Sequence, residues 1–302
     1  MKLDDCNRLI QNNLHIKGII LFVFINIIWG TTFPLVEKTV SSLEPSVLTT
    51  TRFAVAALVF SVNLRGLNAL LLRDGLVLGL LFFVYLATET IALESIHANR
   101  AAFIVSLSAI FVPLLGLLLG RRLPLKTFLS TGVAVIGIGV MFWRGGVLGI
   151  GEVLMFFDAV LYGVYTLVLE RIAQRHPSLS LTSVQLFVIA ILGVFWSNTE
   201  LISQFETISK NWSVILYLGL VATALIMWLQ TLAQQWIPSE EVALLYTLEP
   251  IFTAIFSFLL LDEQLGTKDL IGATLVLFAI VLSQTPQNVK PKANFTNVSS
   301  TS

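Results

Sequence analysis

Ten apolar stretches of about membrane-spanning length constrain this 302-residue chain more than any other feature. A hydrocarbon core of about 30 Å requires roughly 17 to 25 apolar residues in helical form. The stretches are 18–36, 47–64, 75–93, 101–119, 125–143, 150–169, 181–196, 212–236, 242–261 and 267–282. They lack the short polar alternation of membrane barrel strands, so they predict helices. The sequence therefore predicts an all-α integral membrane protein with ten transmembrane helices.

The composition excludes a water-soluble globule, because 56% of the residues are hydrophobic, 12% are charged and the mean hydropathy is +0.87. Soluble domains are about one quarter charged. A single cysteine, Cys6, cannot form an internal disulfide, and His15, His97 and His176 share no metal-ligand spacing. We therefore expect no metal, no cofactor and no nucleic-acid partner. The expected partners are the lipid bilayer and a small-molecule substrate, for a protein that is a monomer or an oligomer.

The polar ends of the chain lie outside the predicted helices. Residues 1–17 are predicted to be a cytoplasmic tail, and the first apolar stretch is too long for the core of a cleaved signal peptide. Residues 285–302 are polar and are predicted to be disordered. Between the tails we expect one unit at 18–143 and a second at 150–284.

Lysine and arginine near helix ends predict that both termini are cytoplasmic, because cytoplasmic loops retain these residues. With ten helices, twelve fall inside and five outside. The twelve are Lys2, Arg8, Lys17, Arg65, Arg73, Arg121, Arg122, Lys126, Arg171, Arg175, Lys290 and Lys292, and the five are Lys38, Arg100, Arg144, Lys210 and Lys268. A nine-helix arrangement without stretch 181–196 gives the same score, so charge alone does not count the helices.

An internal similarity favours ten helices over nine. The segment GTTFPLVEK at 30–38 matches GVYTLVLER at 163–171, which pairs Gly30 with Gly163 and Glu37 with Glu170. RRLPLK at 121–126 matches EQLGTK at 263–268 more weakly, in the same order. Two similar units need equal helix numbers, five each, and an odd number inverts the second unit. Inverted repeats of this kind are a recurrent transporter architecture with the substrate site near the midplane.

Four ionisable residues lie deepest in the stretches: Arg52, Glu89, Asp158 and Glu249. A charge at the bilayer centre costs about 2.5 to 3.5 kcal/mol on insertion scales, so such groups face a cavity, a partner or the bundle interior. Glu249 is either a cavity carboxyl that binds a cationic group or a proton, or a structural partner for Arg52. Arg52 is expected to pair with one of the three acids. Pro250 beside Glu249 would loosen the helix and free carbonyl groups.

Polar and aromatic residues extend this cavity prediction to other helices. Asp158, Tyr162 and Tyr165 share one helix face, which faces either inward or the membrane interface. Glu89 and Gln230 lie in the third and eighth stretches at matching depths, because Thr88 and Glu89 align with Gln230 and Thr231 at an offset of 142. We therefore predict that Glu89, Asp158, Tyr162, Gln230 and Glu249 line a cavity.

The first stretch adds Trp29 and Thr32 to the cavity candidates, although a membrane tryptophan also serves as an interfacial anchor. Pro34 is predicted to kink this helix. Pro113 in the fourth stretch and Pro250 in the ninth occupy counterpart helices of the two units. Kinked helices in corresponding positions indicate the moving parts of a transporter.

Three segments resemble the EamA family of the drug/metabolite transporter superfamily: WGTTFPLVEK from Trp29, the run from Ala98 that includes GRRLPLK, and the run from Ala233 that includes LEPIF. The resemblance extends from about Gly18 to Ser283. It implies ten helices in two inverted halves, a central cavity and export of small metabolites, amino acids or drugs.

The sequence thus favours an exporter of the cytoplasmic (plasma or inner) membrane that works by alternating access. An intramembrane enzyme, such as a lipid-modifying transferase, is the alternative, but no H-E-x-x-H motif or histidine cluster is present. A receptor or scaffold subunit is a third possibility, and long loops or soluble domains would favour it. The loops between the stretches are short.

Overall fold

Apolar helices dominate the computed structural model, which describes residues 3–64, 67–121, 125–142, 149–262 and 266–284. Within these ranges no strand occurs. Eight helical segments are long and apolar enough to cross a membrane: Asn12–Val40, Pro45–Asn63, Ala69–Ala92, Ala98–Leu118, Ile150–Ala173, Ser178–Ser197, Trp212–Ala233 and Ser239–Leu261. They coincide with the first four stretches and with the sixth to ninth. The protein is an all-helical, multi-pass membrane protein.

The described part of the chain contains sixteen α-helices. They are α1 Leu3–Gly30, α2 Thr32–Val40, α3 Pro45–Phe60, α4 Ala69–Ala92, α5 Ala98–Val105, α6 Ser108–Leu118, α7 Leu125–Phe142, α8 Ile150–Ala173, α9 Ser178–Ser197, α10 Glu200–Ser203, α11 Phe205–Lys210, α12 Trp212–Leu216, α13 Ile226–Ala233, α14 Ser239–Tyr246, α15 Glu249–Leu261 and α16 Thr267–Gln284. A 3₁₀-helix, Ser61–Asn63, follows α3, and a π-helix, Tyr217–Leu225, joins α12 to α13.

Helices α7 and α16 occupy the predicted fifth and tenth stretches. Each has 18 residues, and the two pack against each other. Trp143, the predicted end of the fifth stretch, lies outside the described residues. In α7 the run Phe128–Gly137 is apolar but shorter than a membrane span.

The first helix begins much earlier than the sequence predicted. Helix α1 starts at Leu3, and its apolar part starts at Asn12, whereas the prediction placed a tail up to residue 17. The segment before Gly18 contains neither proline nor glycine, so nothing in the backbone chemistry ends the helix there. The apolar run marked the membrane-spanning length and not the helix end.

Three membrane segments are broken near their middle. The first breaks at Thr31, between α1 and α2. The fourth breaks at Ser106 and Leu107, and the ninth breaks at Thr247 and Leu248. The fourth and ninth segments therefore break at equivalent points, 141 residues apart. Broken helices free backbone carbonyls, which a membrane protein tolerates where the backbone is enclosed by protein.

The prolines stand in different relations to these breaks. Pro34 is the third residue of α2 and Pro250 the second residue of α15, so both follow a break directly. Pro113 instead lies inside α6, which runs unbroken from Ser108 to Leu118. The break of the fourth segment is therefore not at Pro113, contrary to the expected symmetry with Pro250. A buried membrane helix accommodates one missing N–H when its neighbours enclose the freed carbonyl.

Two equivalent glycines hold equivalent helices in close contact. Gly30 of α1 packs on α15 at Phe252 and Thr253, and Gly163 of α8 packs on α6 at Phe111 and Val112. The contacts of Gly163 correspond to those of Gly30, in agreement with the match of these two glycines in the sequence. The weaker match, at 121–126 and 263–268, falls partly on residues outside the described ranges. Small residues of this kind allow membrane helices to approach closely.

We expect Gly30→Ala to destabilise the bundle. A Cβ at this position would lie 2.9 Å from the carbonyl carbon of Phe252 and from the amide nitrogen of Thr253. Backbone atoms cannot move aside cheaply, and overpacking costs about 1 to 3 kcal/mol. Gly132→Ala in α7 is the matched control, because nothing lies within 4 Å of its added Cβ. Thermal unfolding in detergent should show a lower Tm for the first variant only, and equal Tm values would contradict the close contact.

Candidate substrate cavity

A small cavity lies where α1, α2, α3, α4, the π-helix, α13 and α15 meet. Its volume of about 10 Å³ gives room for about one water molecule. The lining residues are Trp29, Thr32, Arg52, Phe82, Tyr85, Leu86, Glu89, Ala222, Thr223, Met227 and Glu249. Both predicted units therefore contribute to the wall, and the cavity as it stands is too small for a metabolite.

The structure places five of the predicted residues in this wall: Trp29, Thr32, Arg52, Glu89 and Glu249. Each of them is buried. The cavity therefore combines the predicted arginine with two of the three deep acids.

Three further cavity candidates, Asp158, Tyr162 and Gln230, are fully buried but do not line the cavity. Tyr162 accepts a hydrogen bond of 3.0 Å from Nε2 of Gln230, which joins α8 to α13. Glu89 and Glu249 both act electrostatically on Asp158. These residues form a buried layer next to the cavity.

Arg52 differs from its expected role as one half of an ion pair. Among the described residues its hydrogen-bond partners are neutral: Nε donates to the hydroxyl of Thr223, and Nη2 donates to the carbonyl of Ala222 at 3.4 Å. Glu89 acts electrostatically on the guanidinium, but no direct bond joins the two side chains among the described contacts. The expectation of a fixed carboxylate partner was therefore wrong in its geometry, because the π-helix supplies the acceptors.

The π-helix Tyr217–Leu225 contributes an acceptor that the sequence did not reveal. The carbonyl of Ala222 accepts from Arg52 and also from Nε1 of Trp29 at 3.3 Å. A π-helix leaves carbonyl groups out of the regular α-helical pattern and occurs frequently at functional sites. Trp29 is thus held in the bundle interior by a hydrogen bond and does not act as an interfacial anchor.

Tyrosine hydroxyls connect the acids of the cavity. Tyr85 donates to Glu89 at 2.8 Å, and its hydroxyl lies 3.2 Å from that of Tyr246. Tyr246 in turn interacts with Glu249. The second carboxyl oxygen of Glu249, Oε2, is buried and has no hydrogen-bond partner among the described residues. The sequence contained a signal for Tyr85, which precedes Glu89 by four residues and shares its helix face.

Asp158 is a fully buried acid among the described residues of the core. Its side chain is 0% exposed, and neither carboxyl oxygen has a hydrogen-bond partner in the described part of the chain. A buried polar group left without a partner costs about 1 to 3 kcal/mol. A packing role alone does not explain an aspartate in this position.

Aromatic rings enclose the acids. Tyr162 stacks on Tyr246 with ring centroids 4.3 Å apart, and Trp29 meets Tyr246 edge-on at 5.5 Å. Tyr85 lies 5.3 Å from Tyr162. The four rings come from α1, α4, α8 and α14, so the aromatic cluster crosses between the predicted units.

Ionic contacts join the helices at one end of the bundle. The Arg121 cluster consists of Arg121, Glu170, Ser239 and Glu240. Arg121 bonds to Oε2 of Glu170 at 2.7 Å and to Oε1 of Glu240 at 2.9 Å, and Ser239 donates to Glu170 at 2.7 Å. Burial lowers the pKa of Arg121, but the hydrogen bonds and charges of Glu170 and Glu240 outweigh it and raise the pKa above its usual value. The guanidinium stays charged.

Two histidine contacts lie at the same end, which we call the His15 face. His15 contacts Glu241 at 2.7 Å, and His176 contacts Asp74 at 2.8 Å. Glu241 adjoins Glu240 of the Arg121 cluster. Like the Arg121 cluster, each contact joins one predicted unit to the other.

The opposite end of the bundle carries its own polar contacts. Arg100 of α5 pairs with Glu152 of α8 at 2.9 Å, which again joins the two predicted units. Glu37 accepts a hydrogen bond of 2.7 Å from the amide of Ala98, at the start of α5. Glu170, the sequence match of Glu37, makes a similar contact: it accepts a hydrogen bond from Ser239 at the start of α14.

Known proteins with similar sequences are named as uncharacterized transporters. The chain is 28% identical over 257 residues to an uncharacterized transporter of Archaeoglobus fulgidus, covering 85% of this chain and 82% of the relative. It is 23% identical over 289 residues to the uncharacterized transporter YyaM of Bacillus subtilis, covering 88% and 93%. Both relatives are thus named as transporters.

A solved crystal structure has the same fold. It superposes with a TM-score of 0.68 at 16% identity, over 89% of this chain and 97% of the other. The model of the EamA-like transporter family matches the chain twice, at residues 16–143 and at residues 149–285. With nearly the whole chain matched, this membrane protein belongs to the EamA-like transporter family.

Proposed function

We propose that this protein exports small metabolites, amino acids or drugs by alternating access around the central cavity. The observation that carries the proposal is the position of that cavity. It holds Arg52, Glu89 and Glu249 in the middle of the bundle, and ionic contacts between the units lie at both ends. A site that opens in turn to the two sides of a membrane requires this arrangement.

The transport architecture that we propose has ten membrane-spanning helices in two inverted units of five. The two family matches support two units, and α7 and α16 supply the fifth and tenth helices. The breaks at Ser106 and Thr247 and the contacts of Gly30 and Gly163 occur in equivalent places. Both termini then lie in the cytoplasm, as the distribution of lysine and arginine predicts, and the protein lies in the cytoplasmic membrane.

In this proposal the Arg121 cluster and the two histidine contacts close the cavity on the His15 face. Because both ion pairs of Arg121 and both histidine contacts join the first unit to the second, rocking the units apart must break them. Arg100 and Glu152 do the same at the opposite end. The small volume of the cavity agrees with closure at both ends.

Glu249→Gln tests the proposed transport site. Comparison of metabolites in cells with and without the protein identifies candidate substrates, and flux into proteoliposomes then measures their transport. We expect the variant to enter the membrane normally and to change the flux or its pH dependence, because Glu249 lines the cavity. Unchanged export at every pH would contradict a role for the cavity carboxyl.

Arg121→Ala tests closure at the His15 face. In a Cys6→Ser background, Met227→Cys places a thiol in the cavity wall. Loss of about 1 kcal/mol of ion pairing should speed labelling by a membrane-impermeant thiol reagent from that face by about five-fold. Arg171→Ala is the matched control, because Arg171 is an exposed arginine next to Glu170. Equal labelling rates in the two variants would show that the Arg121 cluster does not hold the cavity closed.

Asp74 and Asp158 are both buried, but only Asp74 has a hydrogen-bond partner among the described residues. Asp74→Asn weakens the 2.8 Å contact with His176 and should lower the Tm by several degrees. Asp158→Asn loses no hydrogen bond to a described residue, so its Tm should stay equal or rise while transport falls. Thermal unfolding in detergent and proteoliposome flux measure both effects. A large loss of Tm in Asp158→Asn would indicate a structural role instead.

A further inference from the structure

Acidic side chains outnumber basic ones around the cavity. Glu89, Asp158 and Glu249 are three acids, whereas Arg52 is the basic residue among the described residues that line the cavity. The guanidinium of Arg52 is directed to Thr223 and Ala222, and Glu89 is the acid that acts on it electrostatically. Glu249 and Asp158 stay without a cationic partner in the part of the chain that the structure describes.

The unpartnered oxygen of Glu249 points to a missing partner. Glu249 is 1% exposed, it lines the cavity, and its Oε2 has no hydrogen-bond partner among the described residues. A buried carboxyl in this state is costly unless a hydrogen bond or a positive charge compensates it. A substrate with a positively charged head group would compensate the carboxyl by its charge, and an amine would add a hydrogen bond.

The rest of the wall suits such a head group. Trp29, Phe82 and Tyr85 line the cavity with Glu249, and Tyr162 and Tyr246 stack behind them. Aromatic rings attract cations through their π faces, tryptophan most strongly, and the attraction grows when water is excluded. The apolar side chains of Leu86 and Met227 complete the wall and can receive the non-polar part of the same molecule.

We propose that the transported substrate is a small organic cation, an amine or a quaternary ammonium compound. This inference rests on the proposed function and names its substrate class. The charged head lies between the carboxyl of Glu249 and the rings of Trp29 and Tyr85. Because the closed cavity holds about one water molecule, the site admits the substrate only when the two units move apart.

Four aromatic probes of similar size test the charge preference: benzyltrimethylammonium, phenylalanine, benzoate and benzyl alcohol. They are a cation, a zwitterion, an anion and a neutral molecule. Binding to the purified protein in detergent is measured as a concentration-dependent rise in Tm. We expect benzyltrimethylammonium to bind most tightly. Tighter binding of benzoate or phenylalanine would overturn the inference in favour of recognition by Arg52. The inference would also be overturned if none of the four probes binds.

Glu249→Gln should weaken the binding of benzyltrimethylammonium by about ten-fold or more, since it removes one member of a buried charge pair. Glu206→Gln is the matched control, because Glu206 is 82% exposed on α11. Should Glu249→Gln fail to fold, Trp29 provides a second comparison: Trp29→Phe should retain more affinity than Trp29→Leu. Full affinity in Glu249→Gln, or equal affinity in the two Trp29 variants, would overturn the inference.

Flux measurements keep this inference separate from the proposed function. Benzyltrimethylammonium carries a permanent charge and does not leak through liposomes, so its uptake reports transport by the protein. Transport of other solutes without binding of this cation would overturn the cation inference and leave the transporter. Binding of the cation without flux of any solute would overturn transport and leave the cation site.

Discussion

Carboxyl groups in the middle of a bilayer must be enclosed by protein, because lipid offers them neither water nor hydrogen bonds. Here Glu89, Asp158 and Glu249 come from α4, α8 and α15, and each of these helices lies against others that cover its acid. The requirement draws helices from both ends of the chain to one centre. The tyrosines around the acids have the same origin, since a phenol combines a large apolar ring with a hydrogen-bond donor.

The broken helices follow from the same requirement. An unbroken α-helix uses its backbone carbonyls internally and can offer few acceptors to a buried arginine. In this protein the π-helix brings the carbonyl of Ala222 to both Arg52 and Trp29. Three other segments break at Thr31, at Ser106 and at Thr247. In the π-helix the regular α-helical pattern is thus given up where the polar centre uses a backbone carbonyl.

The ends of the bundle differ from its centre in the kind of contact that joins the units. Contacts within the centre are aromatic and tightly packed, whereas the contacts between units near both ends are ionic, such as Arg121 with Glu170 and Arg100 with Glu152. Arg121, Glu170 and Arg100 are partly exposed, and ion pairs that water can reach contribute modestly. The proposed alternating access needs contacts of this kind, which can break and form again without unfolding the helices.

The sequence determined the membrane class, the positions of the helices and the deep polar residues. Apolar length is a local property, so the eight spans overlap the predicted stretches and differ from them only at their ends. The sequence also marked four residues of the cavity wall, because an ionisable or large polar group inside an apolar run is recognisable without any knowledge of its neighbours. These residues are Trp29, Arg52, Glu89 and Glu249.

Only the tertiary structure decided which of these groups meet and what they bind. Arg52 was expected to pair with a carboxylate, yet it bonds to Thr223 and Ala222, because a π-helix in a segment far along the chain presents acceptors that no local pattern encodes. The break near Ser106 likewise depends on packing, since Pro113 suggested a different place. Periodicity and apolar length act over a few turns of helix, whereas partner choice depends on side chains separated by many residues in the chain and brought together only by folding.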